Sequence, residues 1–106
     1  MPTYVLMTKL GPDAFQDPRG RKAVGRDWMD KVKTLCPEVR WIAHYAILGP
    51  YDFMDIYEAP DEKTANKVSL ISRSEGATIA ESWCALPYDE YLPLVEEVEK
   101  VEGLGA

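Results

Sequence analysis

Three side chains near the middle of the chain are of the types that proton-transfer chemistry uses. His44, the only histidine, is of the residue type that can serve as general base or general acid near neutral pH. Asp55 can orient that imidazole or hold a cationic intermediate, and Tyr57 can donate a hydrogen bond to a developing oxyanion. All three lie in the stretch Val39 to Glu58, VRWIAHYAILGPYDFMDIYE, which reads as two strands joined by a turn at Gly49-Pro50-Tyr51-Asp52. With a four-residue turn, Leu48 pairs with Phe53, Ala46 with Asp55 and His44 with Tyr57. Strand side chains alternate, so His44, Asp55 and Tyr57 share one sheet face with Ile42. Trp41, Ala43, Tyr45, Ile47, Met54 and Ile56 form the other face. That second set is the more apolar, so it is expected to pack on helices and to leave the polar trio facing an open cavity. A one-residue change in loop length reverses the assignment. The competing reading makes His44 and Asp55 a satisfied polar pair at a subunit interface.

Other residues carry weaker signals. Glu81 and Trp83 alternate onto one face of a later strand. With Phe53 they are candidate ligand-binding residues, Trp83 offering a flat wall to an aromatic ligand, although interface packing explains the pair equally well. The turn reads as structural: Asp52 can bond the turn backbone, Gly49 supplies permissive dihedrals and Tyr51 can pack over the sheet end. Ser69, Ser72 and Ser74 have no neighbouring base. One histidine, no cysteine pair and scattered carboxylates assemble no metal site, and no cofactor is expected.

Composition narrows the setting. The formal charge of −6 over 106 residues argues against nucleic acid and anionic membranes, which are bound through basic faces. No stretch approaches the roughly 20 apolar residues of a membrane span. Met1-Pro2-Thr3 leads straight into an apolar strand without a charged leader, so a cytoplasmic protein is expected, with Cys36 and Cys84 as reduced thiols.

The elements that must position these residues follow from periodicity and punctuation. Strands are expected at Thr3–Leu10, Val39–Leu48, Phe53–Glu58 and Ala77–Leu86. Asp17-Pro18 looks like the cap and first position of a helix ending near Cys36, before Pro37. Val24, Trp28, Val32 and Leu35 form its apolar stripe. Arg19, Arg21, Lys22, Arg26, Lys31 and Lys33 occupy the rest, as a solvated face or, less favoured, an anion site. A second helix opens at Ala59-Pro60-Asp61-Glu62, with Pro60 expected in its first turn and the acids at the positive end of its dipole. It carries Ala65, Val68 and Ile71/Ser72 inward and stops at Gly76 as a left-handed cap. A last helix is expected to become regular near Leu92, after Pro87, because Pro93 would interrupt it. Its stripe is Tyr91, Val95 and Val98, with Glu102 to Ala106 fraying.

The order β-α-β-β-α-β plus a helix makes one α+β domain over residues 1–106: a ferredoxin-like four-stranded antiparallel sheet with helices on one face. The strands are apolar on both sides, so a second copy or the last helix must cover the other face.

Leu48-Gly49-Pro50-Tyr51-Asp52-Phe53, followed by Glu58-Ala59-Pro60-Asp61, resembles the GYD-domain family, named for its Gly-x-Tyr-Asp turn. Met1-Pro2-Thr3-Tyr4 and Glu81 extend the similarity over nearly the whole chain. The chain departs from the family pattern at Pro87-Tyr88-Asp89 and Trp83-Cys84. The resemblance implies the dimeric α/β-barrel superfamily, hence a homodimer or higher homo-oligomer whose sheets enclose a cavity. The expected function is binding of a small organic ligand, with isomerisation, cyclisation or cofactor-independent oxygenation as the chemistry. The alternative is a non-catalytic ligand-sensing or assembly module of the same fold, since fold alone does not fix function.

Overall fold

A computed structural model describes residues 1–105, with side chains through Val101. Its elements run β1 (Thr3–Leu10), α1 (Pro12–Phe15), α2 (Arg21–Leu35), β2 (Arg40–Ala46), β3 (Phe53–Glu58), α3 (Glu62–Ser74), β4 (Ala77–Ala85) and α4 (Tyr88–Gly105). The four strands form one antiparallel sheet in the order β2-β3-β1-β4. This is the ferredoxin-like arrangement that the element order implies. Helices α2 and α3 lie on one face.

Helix boundaries follow local chemistry, and three differ from expectation. Asp17 does not cap α2. Its carboxylate accepts from the Arg19 backbone and guanidinium instead, making a turn of Asp17–Arg19. Gly20, at φ 89°, reverses the chain before the helix begins at Arg21. A proline at Pro18 and a left-handed glycine cannot both sit in one helical run. Asp61 caps α3, accepting from the Thr64 amide at 2.8 Å, so Pro60 lies just before the helix and not in its first turn. Gly76 follows with φ 108°. A Cβ there would come within 2.9 Å of the Ala14 Cβ, so glycine serves both the turn and the close approach of α1.

The last helix starts at Tyr88, four residues earlier than expected, and contains Pro93. Pro93 forfeits one amide bond near the helix start, while the Glu90 and Tyr91 amides already bond to the Pro87 carbonyl. The first turn therefore forms regardless. Of the tail expected to fray, residues 102–105 have helical backbone and Ala106 lies outside the described residues. This helix makes no substantial packing contact with the sheet or with α2 and α3. Tyr88, Tyr91, Leu92, Leu94, Val98 and Val101 are exposed along it.

The core sits between the sheet and α2/α3. Leu6 and Tyr57, both 0% exposed, pack with Tyr4, Val32, Cys36, Ala65, Val68 and Ile71, and Trp28 and Trp41 border them. The expected stripe of α2 holds at Val24 and Val32. Leu35 is exposed and Cys36 takes its place inward, because the chain leaves the helix there and turns toward β2. Both cysteines are free thiols.

The hairpin corrects the expected register. Ile47 to Asp52 form a six-residue loop, and Ala46, not Leu48, pairs with Phe53. His44 therefore faces Asp55 and not Tyr57. A bulge between Trp41 and Ala43 turns Trp41 onto the Tyr57 face, where the two rings lie 5.1 Å apart.

Candidate functional site

The two-residue slip leaves side-chain parity intact at the hairpin end, so His44, Asp55, Tyr57 and Phe53 do share a face. It is the opposite face from the one expected. They point toward α2 and α3, while Ala43, Tyr45, Met54 and Ile56 face away. The physical reason lies in β1 and the bulge. Tyr4, Leu6 and Thr8 pair beside Tyr57, Asp55 and Phe53, and with Trp41 added this face outweighs the other in bulk.

Near the Arg21 end of α2 the helix stands off the sheet and leaves a cleft of about 450 Å³. Thr8, His44, Phe53 and Asp55 form its floor. Arg21, Val24, Gly25, Trp28 and Met29 form the opposing wall, with Ser72 and Glu75 of α3 at the side. Asp55 is only 3% exposed, and its Oδ1 is hydrogen-bonded to Nδ1 of His44. Burial pushes the Asp55 carboxyl above the ordinary carboxylate range, and the neighbouring imidazole pulls it partly back. His44 stacks on Phe53 at 5.5 Å. With Nδ1 engaged, Nε2 is the nitrogen left for a ligand.

Tyr57 is not part of this cleft. Its hydroxyl is hydrogen-bonded to Ser82 at 2.7 Å, and Ser82 to Ser69 at 2.8 Å. Its ring stacks on Tyr4. Burial pushes the phenol up to about 12, against the lowering effect of the Ser82 bond. A phenol so placed holds the core together.

The candidate ligand residues divide between the faces. Phe53 is in the cleft, whereas Glu81 and Trp83 are on the open face. There Tyr51 donates to Glu81 at 3.0 Å and meets Trp83 edge-on, with ring centroids 6.3 Å apart. That bond crosses β1 at the level of Met7, which pairs with Glu81 and is buried. Asp52 is structural, as the turn chemistry indicates. Its carboxylate accepts from the Leu10 amide at 2.7 Å, and its amide donates to the Thr8 carbonyl at 2.8 Å. The loop is thereby stapled across the end of β1.

Arg21 was hidden within a basic stretch that reads as solvated surface. Its guanidinium carbon lies 5.2 Å from the Phe15 ring centroid and 5.6 Å from that of Phe53. The available signal was Phe15 just before the helix, a ring able to pin the first-turn arginine. No metal-holding cluster of His, Cys, Asp and Glu occurs among the described residues. No helix among them is long and apolar enough to cross a membrane.

Comparison with known proteins agrees with this fold. A curated protein of Thermus thermophilus, named glutamine synthetase and cystathionine beta-lyase binding protein, is 31% identical over 91 residues, 82% of this chain and 90% of its own length. The crystal structure of a Thermus thermophilus protein matches with a TM-score of 0.55 at 21% identity, over 82% of this chain and 95% of that one. A crystal structure of a hypothetical protein from Pyrococcus horikoshii matches with a TM-score of 0.50 at 18% identity, over 82% of this chain and 92% of that one. The solved structures share the fold. The family model described as the GYD domain matches residues 4–95, and with the curated relative covering most of both chains, this chain belongs to the GYD-domain family.

Proposed function

We propose that this protein is a homodimeric binding module that docks on other proteins, pairing with a second copy of itself through the open sheet face. The observation that carries the reading is that face. Val5, Met54 and Ile56 are half-buried on it, while Trp83 at 48% and Tyr45 at 55% stay exposed, and neither α2 nor α3 covers it. Side chains of this size left on one side of a sheet are unfavourable in water and favour a partner surface. The second copy fits because the same face on both subunits forms a self-complementary two-fold contact. The exposed apolar residues of α4 then lie available to the dimer or to a partner. A relative named for binding glutamine synthetase and cystathionine beta-lyase supports enzymes as those partners.

Sedimentation velocity on the wild type and on the Tyr45→Glu/Trp83→Glu double variant tests the pairing. The wild type is expected as a dimer and the variant as a folded monomer. A wild type that stays monomeric at every concentration rules the reading out. Biolayer interferometry against purified glutamine synthetase and cystathionine beta-lyase from the same organism then tests the partner class.

A second reading is supported by the His44–Asp55 pair beside the cleft: binding of a small organic molecule, with His44 moving a proton through Nε2 and Asp55 fixing Nδ1. Under this reading His44→Ala and Asp55→Asn abolish ligand binding or turnover while the dimer persists. If both variants simply dissociate or unfold the dimer, the pair is structural.

A further inference from the structure

We infer that the cleft between α2 and the sheet is a binding site for a small organic monocarboxylate with an apolar body, its carboxylate held by the Arg21 guanidinium. This deepens the small-molecule reading of the cleft and is independent of the docking face. Nη1 of Arg21 is buried and has no hydrogen-bond partner. No acid pairs with Arg21 among the described residues, and it is the burial of its unpartnered nitrogen that sets it apart from the exposed basic groups around it. A buried guanidinium N–H without an acceptor is unfavourable, and a carboxylate that displaces the side chains covering it supplies the acceptor in the planar geometry arginine prefers. Phe15 and Phe53 hold the guanidinium by cation–π contact, so the donor is oriented before a ligand arrives.

Helix α2 adds to the same field. It begins at Arg21 with no side-chain cap and no acid in its first turn, so its free amides and the positive end of its dipole lie beside the guanidinium. Lys22 also lines the cleft. Two carboxylates line the cleft, but each is engaged, Asp55 with His44 and Glu75 with Lys31 at 3.2 Å. Their charge opposes a dianion such as phosphate and leaves a monoanion favoured. Val24, Trp28, Met29 and Phe53 supply the apolar lining, and the volume lies in the range of small-ligand sites. Gly25 keeps the rim open. It sits inside a 15-residue helix, where alanine is the better helix former, and a Cβ built on it meets no heavy atom within 4 Å.

Isothermal calorimetry on the full chain, with benzoate, 3-phenylpropionate and octanoate against their primary amides, tests the site. At least one acid is expected to bind once per chain and roughly tenfold or more tighter than its amide, the difference a charge-assisted pair provides. Arg21→Met should bring that acid down to the level of its amide. Gly25→Leu should abolish binding of both while thermal unfolding stays cooperative, which separates a blocked cleft from a damaged fold. Amides that bind as tightly as acids, with binding lost in Gly25→Leu, would overturn the carboxylate assignment and leave the small-molecule reading standing. If no acid or amide binds at millimolar concentration, both fall.

Discussion

The two faces of the sheet are both apolar, yet only one is covered by the chain's own helices. On the covered face Tyr4, Leu6 and Tyr57 are buried, and the polar groups of Tyr57 and Trp28 are matched within the chain. Tyr57 meets Ser82, Ser82 meets Ser69, and the Trp28 indole donates to Ser72 at 2.9 Å. On the open face Tyr45 and Trp83 are exposed, and the polar contacts there, Tyr51–Glu81 and Arg40–Glu58, reach water. Apolarity therefore does not mark the side that helices cover. A better marker is that the polar groups on the covered side are paired within the chain, with Arg21 Nη1 the exception. The pairs run across strands, as Tyr57–Ser82 and His44–Asp55, and between helices, as Trp28–Ser72.

The strongest way to break this comparison is Tyr57→Ala. It removes a side chain with no exposure, two ring contacts and a hydrogen bond, and is expected to cost about 3–5 kcal/mol. Trp83→Ala, of similar bulk on the open face, should stay within about 0.5 kcal/mol in dilute solution, as surface changes do. Urea denaturation of the dilute proteins reads both. Equal losses would mean that the two faces are packed alike. Next is Asp52→Ala, which leaves the Leu10 amide without its 2.7 Å acceptor and is expected to cost about 1–3 kcal/mol. Leu10 also lines the cleft, so a weaker affinity for a cleft ligand is expected alongside the stability loss; an unchanged affinity would show the loop and cleft to be uncoupled.

The sequence carried the strands and the α3 helix well, and the hairpin badly. Thr3–Leu10, Phe53–Glu58, the acids at the start of α3 and its Gly76 stop are local: alternation, dipole-favoured acids and a left-handed glycine suffice. The hairpin depends on a loop of six residues held by Asp52 to β1, a contact 42 positions away in the chain, and on a bulge beside Ile42. Neither has a local signature, so the parity survived only because the slip was an even number. The covered face is not legible in the hairpin because β1 presents Tyr4 and Leu6 on one side and Val5 and Met7 on the other, and counting apolar residues in the hairpin alone cannot weigh them. The His44–Asp55 pairing was legible as residue types on a shared face. Arg21 was not, since its unpartnered nitrogen and its two flanking rings exist only in the folded chain.

A smaller effect is expected from pH on the covered face. Burial raises the Asp55 carboxyl above its ordinary value, so between the unfolded value near 4 and the raised one the folded chain holds a proton that the unfolded chain has released. Stability from this group is full below that window and declines as pH rises through it. Asp55→Asn removes the titration. The stability difference, wild type minus Asp55→Asn, should therefore fall across the window and then level off, as measured by urea denaturation at a series of pH values. A difference that rises with pH would mean that His44 outweighs burial and lowers the carboxyl.

The smallest effect in the isolated chain, and the one most informative about the open face, is Tyr51→Phe. The Tyr51–Glu81 bond lies in water in a single copy, where exchange with solvent leaves it little net value, so the melting temperature of dilute protein should not move. Against a second copy the same bond becomes buried. Removing the hydroxyl then leaves the Glu81 carboxylate to be desolvated without its donor, and breaking one partner of a buried polar pair costs far more than the exposed pair contributes. Tyr51→Phe should therefore leave the monomer's melting temperature unchanged and raise the concentration at which dimers form, both read by equilibrium sedimentation and thermal scans on the same samples. If the dimer forms as readily as in the wild type, Glu81 remains hydrated in the assembly. The paired surface must then lie elsewhere on the face, toward Tyr45 and the β2 edge, and away from Trp83.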